Sequence, residues 1–353
     1  MDTPLLNEHR AANAQLAEHH GRLLPEKFSD LNIEYRAAKE TAAIFDTNWH
    51  AIFSLSGPDR VRYLNAIVSN DIKSVGEAYG TRALLLNPQG HILAELEVYA
   101  LAEKLLVRTH ASVRERTFAT LDKYIIMDDV TLEDLTDQLG SFAVEGPQAG
   151  TIVAQACGLA LEGFSEFANA ELPIDGVPSH LIRRSHFGGL GAEIIAPRDH
   201  LGLLWQSMHA RVHAVHGASI GMTALNALRL EAGIPWFPDD FNDTVIPHEA
   251  ALEATHVSFT KGCYTGQEIV ERVRSRGHVN RRRVSLRFSS VDPPAPLTRL
   301  RAKDVEDKEV GIITSSAFSP NVAKAIGMGY VRREHNAPGS VLEFDGGTAT
   351  VAV

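Results

Sequence analysis

One of the two cysteines of this 353-residue chain, Cys263, stands in the run Lys261-Gly262-Cys263-Tyr264-Thr265-Gly266-Gln267-Glu268. A thiol in such a place can serve as nucleophile, redox centre or metal ligand once it is deprotonated. Thr265 with Glu268 three residues on has the spacing of a capping box, which predicts a helix starting there. Ile269, Val270 and Val273 continue the helical pattern, and Gly277 is a natural stop. Cys263 then lies about one turn before a helix N-terminus. The partial positive charge of that terminus, with Lys261 nearby, favours thiolate. The same residues also suit a purely structural role, because Thr-Gly-Gln-Glu caps many helices and an isolated cysteine behaves as a small buried hydrophobe. The other cysteine, Cys157, has apolar neighbours on a helical pattern and reads as core.

A second chemical feature follows directly. Arg272, Arg274, Arg276, Arg281, Arg282 and Arg283 fall within twelve residues, in a chain of net charge −10. One reading is a solvated helix end followed by a basic loop, with arginine complementing the helix dipole. The other is a local anion site beside the Cys263 turn, for a small anionic ligand, a polyglutamate tail or a phosphorylated partner. The acidic balance of the whole argues against nonspecific nucleic-acid binding. The histidines are scattered. His209, His213 and His216 share a helical face, as any polar face would, and no metal site is expected from them. Two thiols cannot supply the four thiolates of an ordinary iron–sulfur cluster, and nothing in their spacing requires a disulfide. A reduced, cytoplasmic setting is the expectation. No apolar run approaches the length of a membrane span.

These residues need elements to position them. At 353 residues the chain is expected to form two or three domains. Residues 1 to about 24 read as one amphipathic helix or a mobile tail ending near Pro25, within an N-terminal helical extension of residues 1–30, and 32–45 as a further helix. Phe53–Ser56 reads as a strand followed by a helix through Val61, Leu64 and Ile67. Residues 83–86 and 92–101, around Asn87-Pro88-Gln89-Gly90, read as a β-hairpin. Strands are expected at 142–145, 177–185 and 193–196, the last two flanking Gly188-Gly189-Leu190-Gly191, with helices at 201–215 and 223–231. The irregular alternation with hairpins argues for α+β rather than a doubly wound parallel sheet. Past the Pro-rich stretch 292–296, short strands and turn residues suggest a small β-barrel, giving a domain at 285–353.

The Lys261–Glu268 run resembles the signature of the YgfZ-type folate-binding proteins, relatives of the glycine-cleavage T-protein (aminomethyltransferase) that are linked to iron–sulfur cluster maintenance. Other segments are similar to the T-protein: Ser56-Gly57-Pro58-Asp59 with Tyr63-Leu64-Asn65 and Ser69-Asn70-Asp71; Leu228-Arg229-Leu230-Glu231-Ala232-Gly233; and Gly311–Ser315 with Gly327–Val331. The resemblance implies a three-lobed ring with a central folate channel, made of two interleaved α+β lobes over residues 31–284 and the C-terminal barrel. It implies tetrahydrofolate or a one-carbon derivative as cofactor, with Glu193 as the pterin-binding carboxylate. A carboxylate suits that task because it can accept the adjacent ring and amino donors bidentately. Arg229 is expected either at folate carboxylates or in an internal ion pair with Glu231 or another acid. Tyr264 and Glu95 complete the expected folate contacts, and Cys263 and Lys261 are the expected working residues.

One departure bears on activity. Where the T-protein has an Asp-Asp pair after its hairpin turn, this chain reads Gly90-His91-Ile92-Leu93-Ala94-Glu95-Leu96. Ala94 cannot manage a proton, and Glu95 is longer and alternates to the opposite strand face. The expectation is therefore a folate-binding accessory protein serving iron–sulfur client or assembly proteins. A folate-dependent aminomethyltransferase or N-demethylase is the alternative, and a binding module that uses the arginine cluster comes third.

Overall fold

The computed structural model describes residues 2–302 and 308–352, with the Arg276 side chain left aside. The chain divides into two compact units, one of residues 1–64, 72–81 and 96–225, the other of 65–71, 82–95 and 226–353.

The first unit contains a six-stranded sheet. Its order is Asn169–Ile174, Val177–Arg183, Gly191–Pro197, Leu139–Glu145, Ala43–Asp46 and Ala218–Ser219. All neighbours are antiparallel except the last pair. Strand Gly191–Pro197 is buried almost throughout, so its two faces enter two different cores. Ala192, Ile194 and Ala196 join Phe142, Trp205 and Met208 beneath the helices Ala149–Cys157 and Arg198–Ala214. Ile195, on the other face, joins Ile182 with Ile52, Tyr99 and Leu106 of a second sheet. That sheet runs in the order Gly80–Leu86, Ile92–Ala100, Lys104–His110, His50–Ser56, Thr131–Asp134. Alternation therefore places Glu193, between Ala192 and Ile194, on the face that carries Ile195.

The second unit holds a closed six-stranded barrel: Arg281–Phe288, Lys324–Arg332, Glu309–Ser319, Arg299–Ala302, Val341–Phe344 and Gly347–Val351. Closure leaves no free edge, and Leu286, Phe288, Leu300, Ile313 and Leu342 fill the interior. The Pro-rich stretch 292–296 connects two barrel strands, so it belongs to the barrel rather than linking domains.

Four expectations need correction. The N-terminal segment is helical only over Leu6–Ala11, and Gln15–His19 pairs with Arg22–Lys27 as a hairpin. The helix expected over 32–45 spans Leu31–Glu40, capped by the Asp30 carboxylate on the Asn32 amide, and Ala43–Asp46 is a strand. The helix after Cys263 is Gln267–Arg276, and its N-cap is Gly266 at φ 83°, with no side-chain cap. Glu268 consequently falls too early to reach back to Thr265, and it pairs with Arg272 at 2.7 Å. Arg281–Arg283, expected in a basic loop, open a barrel strand and lie opposite Arg332, Val331 and Tyr330. No described helix is long and apolar enough to cross a membrane.

Candidate functional site

In the first unit, charges are buried between the two sheets. Glu97 and Arg108 are cross-strand neighbours of the second sheet, the register at which opposite charges attract. Arg108 Nη2 donates to Glu193 Oε1 at 2.5 Å, and both side chains are fully buried. Arg108 Nη1 lies 3.5 Å from Glu97. Arg184 Nε and the Tyr99 hydroxyl donate to the two Glu97 oxygens, each at 2.9 Å. His50 Nδ1 accepts from Arg108 at 2.6 Å. Burial and the adjacent Arg108 push the His50 pKa down to about 3, so its ring is neutral. Burial also opposes charge on Glu193, but Arg108 and His186 outweigh it and hold the carboxyl well below its ordinary range.

This cluster leaves hydrogen-bonding capacity unused. Glu193 Oε2, His186 Nε2, Arg108 Nε and Arg108 Nη1 are buried without a hydrogen bond. Glu193 Oε2 and His186 Nε2 stand 3.3 Å apart. Orphaned atoms of this kind are rare in folded proteins and call for an explanation. The segment that carries His186 is organised by Glu145, which is fully buried. Glu145 accepts from the amides of His186 at 2.6 Å and Gly189 at 2.8 Å and from the Ser185 hydroxyl at 2.9 Å. A side chain at Gly191 would meet the Arg184 carbonyl at 2.5 Å, which accounts for glycine there.

In the second unit, Ala94 is fully buried and Glu95 is partly exposed, on opposite strand faces. Glu95 Oε1 meets His256 Nε2 at 2.9 Å, and His256 Nδ1 meets the Thr255 hydroxyl at 2.7 Å. Cys263 is exposed. Lys261, expected as a working residue, is held against backbone carbonyls. Its ammonium donates to the carbonyls of Asn65, Val68 and Asn70, at and just beyond the end of helix Arg60–Ile67. There it complements the negative helix end and anchors the loop that bears the cysteine. Tyr264 is buried beneath it, ring centroid 5.0 Å from the ammonium, with its hydroxyl unpartnered.

Arg229 takes the internal alternative. It is almost fully buried and ion-paired with Asp240, not Glu231, and its guanidinium lies 4.7 Å from the Trp236 ring centre. Asp240 also accepts from Thr314 and Ser315, each at 2.6 Å. Burial opposes its charge, but Arg229 and these hydroxyls keep its carboxyl below the usual range. Arg229 thus fastens a helix to the barrel, and its guanidinium is committed there. Cys157 is half-buried against the first unit's core, as expected.

The sequence reading named Glu193 and Glu95 but missed Arg108, Glu97, Arg184, His186 and His256. A signal was available for the first two. Single charges interrupt Leu96-Glu97-Val98 and Val107-Arg108-Thr109, whose neighbours are all apolar or β-branched, and a charge inside such a strand needs a buried partner.

The first unit is thus a mixed α/β body with incompletely bonded polar groups buried between sheets, and the second holds a closed six-stranded barrel. The model of the GCVT N-terminal domain matches residues 5–261, and that of the glycine cleavage T-protein C-terminal barrel domain matches 281–353, so the chain belongs to the glycine cleavage T-protein family. Similar proteins include an aminomethyltransferase of Chlorobium limicola, 27% identical over 345 residues, covering 96% of this chain and 93% of the relative. Another, from Desulforamulus reducens, is 28% identical over 330 residues, covering 93% and 89%. The crystal structure of glycine cleavage system aminomethyltransferase T from Bartonella henselae shares the fold, with a TM-score of 0.89 over 100% of this chain and 97% of that one at 23% identity.

Proposed function

We propose that this chain binds a reduced folate and takes part in one-carbon transfer, with aminomethyl transfer, the activity named for its relatives, as the reaction class best supported. The observation that carries the reading is the unsatisfied edge of Glu193. Oε2 is buried and ionised, and it faces His186 Nε2 at 3.3 Å without a well-formed hydrogen bond. A pterin ring presents adjacent N–H donors, so Glu193 would hold it by that under-bonded oxygen, while Arg108 keeps the carboxylate charged and fixed. His186 supplies a second contact of matching polarity. Tetrahydrofolate, when bound, supplies ring nitrogens able to carry a one-carbon group.

Glu95 is the proton-handling residue in this reading. Its carboxylate is reachable from solvent and is oriented by His256, which is itself oriented by Thr255. A carboxylate held by an imidazole can accept or return a proton without reorganising its surroundings. The replacement of an aspartate by Ala94 leaves Glu95 as the carboxylate of this segment, so transfer would rest on it alone.

A second reading, service to iron–sulfur proteins, is favoured by one observation: Cys263 is exposed on a loop that Lys261 and Tyr264 hold in place. An exposed thiol on an anchored loop suits contact with another protein.

The test is calorimetric titration with tetrahydrofolate on the wild type and Glu193→Gln, paired with turnover of an aminomethyl-lipoyl carrier by the wild type and Glu95→Gln. Binding lost in Glu193→Gln and turnover lost in Glu95→Gln support the main reading. Binding without any turnover moves the assignment to Cys263, and the absence of binding sinks both.

A further inference from the structure

The arginine cluster is absorbed neither by the folate reading nor by the cysteine. In the second unit two of its residues, Arg274 and Arg282, border a cavity of about 550 Å³ whose wall also includes His248, Glu253, Phe259 and Arg333. That volume falls in the range of sites for organic small molecules and exceeds what a bare inorganic ion needs.

The wall is unevenly charged. Arg282 is paired with Glu253 at 2.7 Å, and Arg274 with Glu271 at 3.6 Å. Arg333 is exposed, and among the described residues no carboxylate pairs with it. Its backbone amide, bonded to the Asn280 carbonyl at 2.9 Å, fixes where the side chain begins. His248 is 9% exposed, and its Nδ1 has no hydrogen-bond partner. Burial lowers its pKa, so the ring is neutral and can turn either a donor or an acceptor towards a ligand. His248 Nδ1 and Glu253 Oε2, both buried in this wall without a partner, are polar atoms that a ligand would satisfy, the first by either role and the second by accepting from a ring N–H. One side of the cavity is apolar and flat. Phe259 lies beneath the Arg274 guanidinium at 4.3 Å, and Val273 and Val279 flank it.

We propose that this cavity is a binding site for a small organic phosphate carrying a planar ring, a nucleotide being the fitting class. Arg333 supplies the uncompensated charge for the phosphate, in the forked geometry that suits phosphate oxygens. Arg282 lies in the same wall, and the exposed part of its side chain can swing from Glu253 to the ligand. The Phe259–Arg274 stack accepts the ring, because guanidinium and aromatic faces both stack on planar bases. The site is independent of Glu193, Glu95 and Cys263, so it would regulate or complement the folate reading rather than carry it.

The test is calorimetric titration of the full chain with ADP, on the wild type, Arg333→Ala and His248→Phe, with citrate as the polycarboxylate control. Tetrahydrofolate titration of the same samples checks that each variant is folded and separates this site from the proposed folate site. Saturable ADP binding, at least tenfold weaker in Arg333→Ala and weakened by moderate salt, supports the proposal. Folate binding should be unchanged in that variant, and circular dichroism provides the folding check if folate does not bind. No saturable ADP binding to the wild type overturns it. So does equal binding by wild type and Arg333→Ala, or citrate binding where ADP does not bind.

Discussion

Arg108 and Glu193 meet at 2.5 Å across two sheets, each side chain wholly out of water. Taking both ions out of water is costly, and their attraction offsets this only while both are present. Arg108→Gln leaves the Glu193 carboxylate with only the more distant His186 opposite it. The expected loss is about 3–5 kcal/mol, the usual cost of orphaning a buried charge. Replacing both, as Arg108→Met with Glu193→Leu, should recover most of it. Urea midpoints of the two variants decide the matter. If Arg108→Gln unfolds at the wild-type midpoint, the pair is not a structural tie.

The histidines buried between these sheets set a pH dependence. Burial, and then the nearby Arg108, lowers the His180 pKa to about 3, against about 6.5 in an unfolded chain. As pH falls below about 6.5 the unfolded state takes up the proton and the folded state does not. The stability His180 contributes is therefore fully present above that pH and is lost progressively towards pH 3. The loss between pH 7 and pH 5 should be at most about 2 kcal/mol for this residue. His50 acts in the same direction. His180→Gln, whose amide can still reach Asn169, the present partner at 2.9 Å, should flatten the slope of stability against pH over that window. An unchanged slope would mean that His180 takes up its proton as readily in the fold as in the unfolded chain.

Parts of this arrangement were legible in the sequence for definite reasons. The hairpin around Asn87–Gly90 announced itself through alternation and a turn with Gly90 at φ 77°. The barrel showed in its short strands and turn residues. The first hairpin did not, because Ala, Leu and Glu are good helix formers and its turn is His20-Gly21, with both residues at positive φ, a pair that carries no strong turn signal. Arg281–Arg283 hid their strand because three consecutive charges look solvated. In the fold Arg281 meets Glu249, Arg282 meets Glu253, and Arg283 donates to the Ala250 carbonyl. Glu193 could be singled out by its place after the Gly-rich turn, but Arg108, its partner 85 positions away, depends on how strands from two sheets come together. No local pattern reports that.

Glu95 and His256 make a separable pair. Glu95→Gln keeps the shape and a hydrogen bond but cannot take a proton, so turnover should fall by about 100-fold or more, the usual yield of a positioned acid–base group. Thermal stability should change little, because Glu95 is partly exposed. His256→Asn is expected to shift the pH–rate profile more than the substrate KM, since it acts through Glu95. If both variants keep wild-type turnover, the proton is handled elsewhere.

Gly266 links the hairpin turn to the cysteine loop. At φ 83° it caps helix Gln267–Arg276, and a Cβ there would stand 2.6 Å from the Asn87 carbonyl oxygen and 3.2 Å from Gly90 Cα. Both neighbours are backbone, so neither can rotate away. Gly266→Ala should cost about 1–3 kcal/mol through left-handed strain alone, and the close contact adds to that. Because Cys263 lies three residues before this cap, the same substitution should alter the rate at which iodoacetamide alkylates it. The native wild-type thiol should react at a rate close to that of the unfolded chain, since it is exposed. Cys263→Ala should leave stability within about 0.5 kcal/mol, as surface substitutions usually do. A thiol that resists alkylation until the protein is denatured would show that the loop closes over it, and would remove the footing of any function assigned to an exposed Cys263.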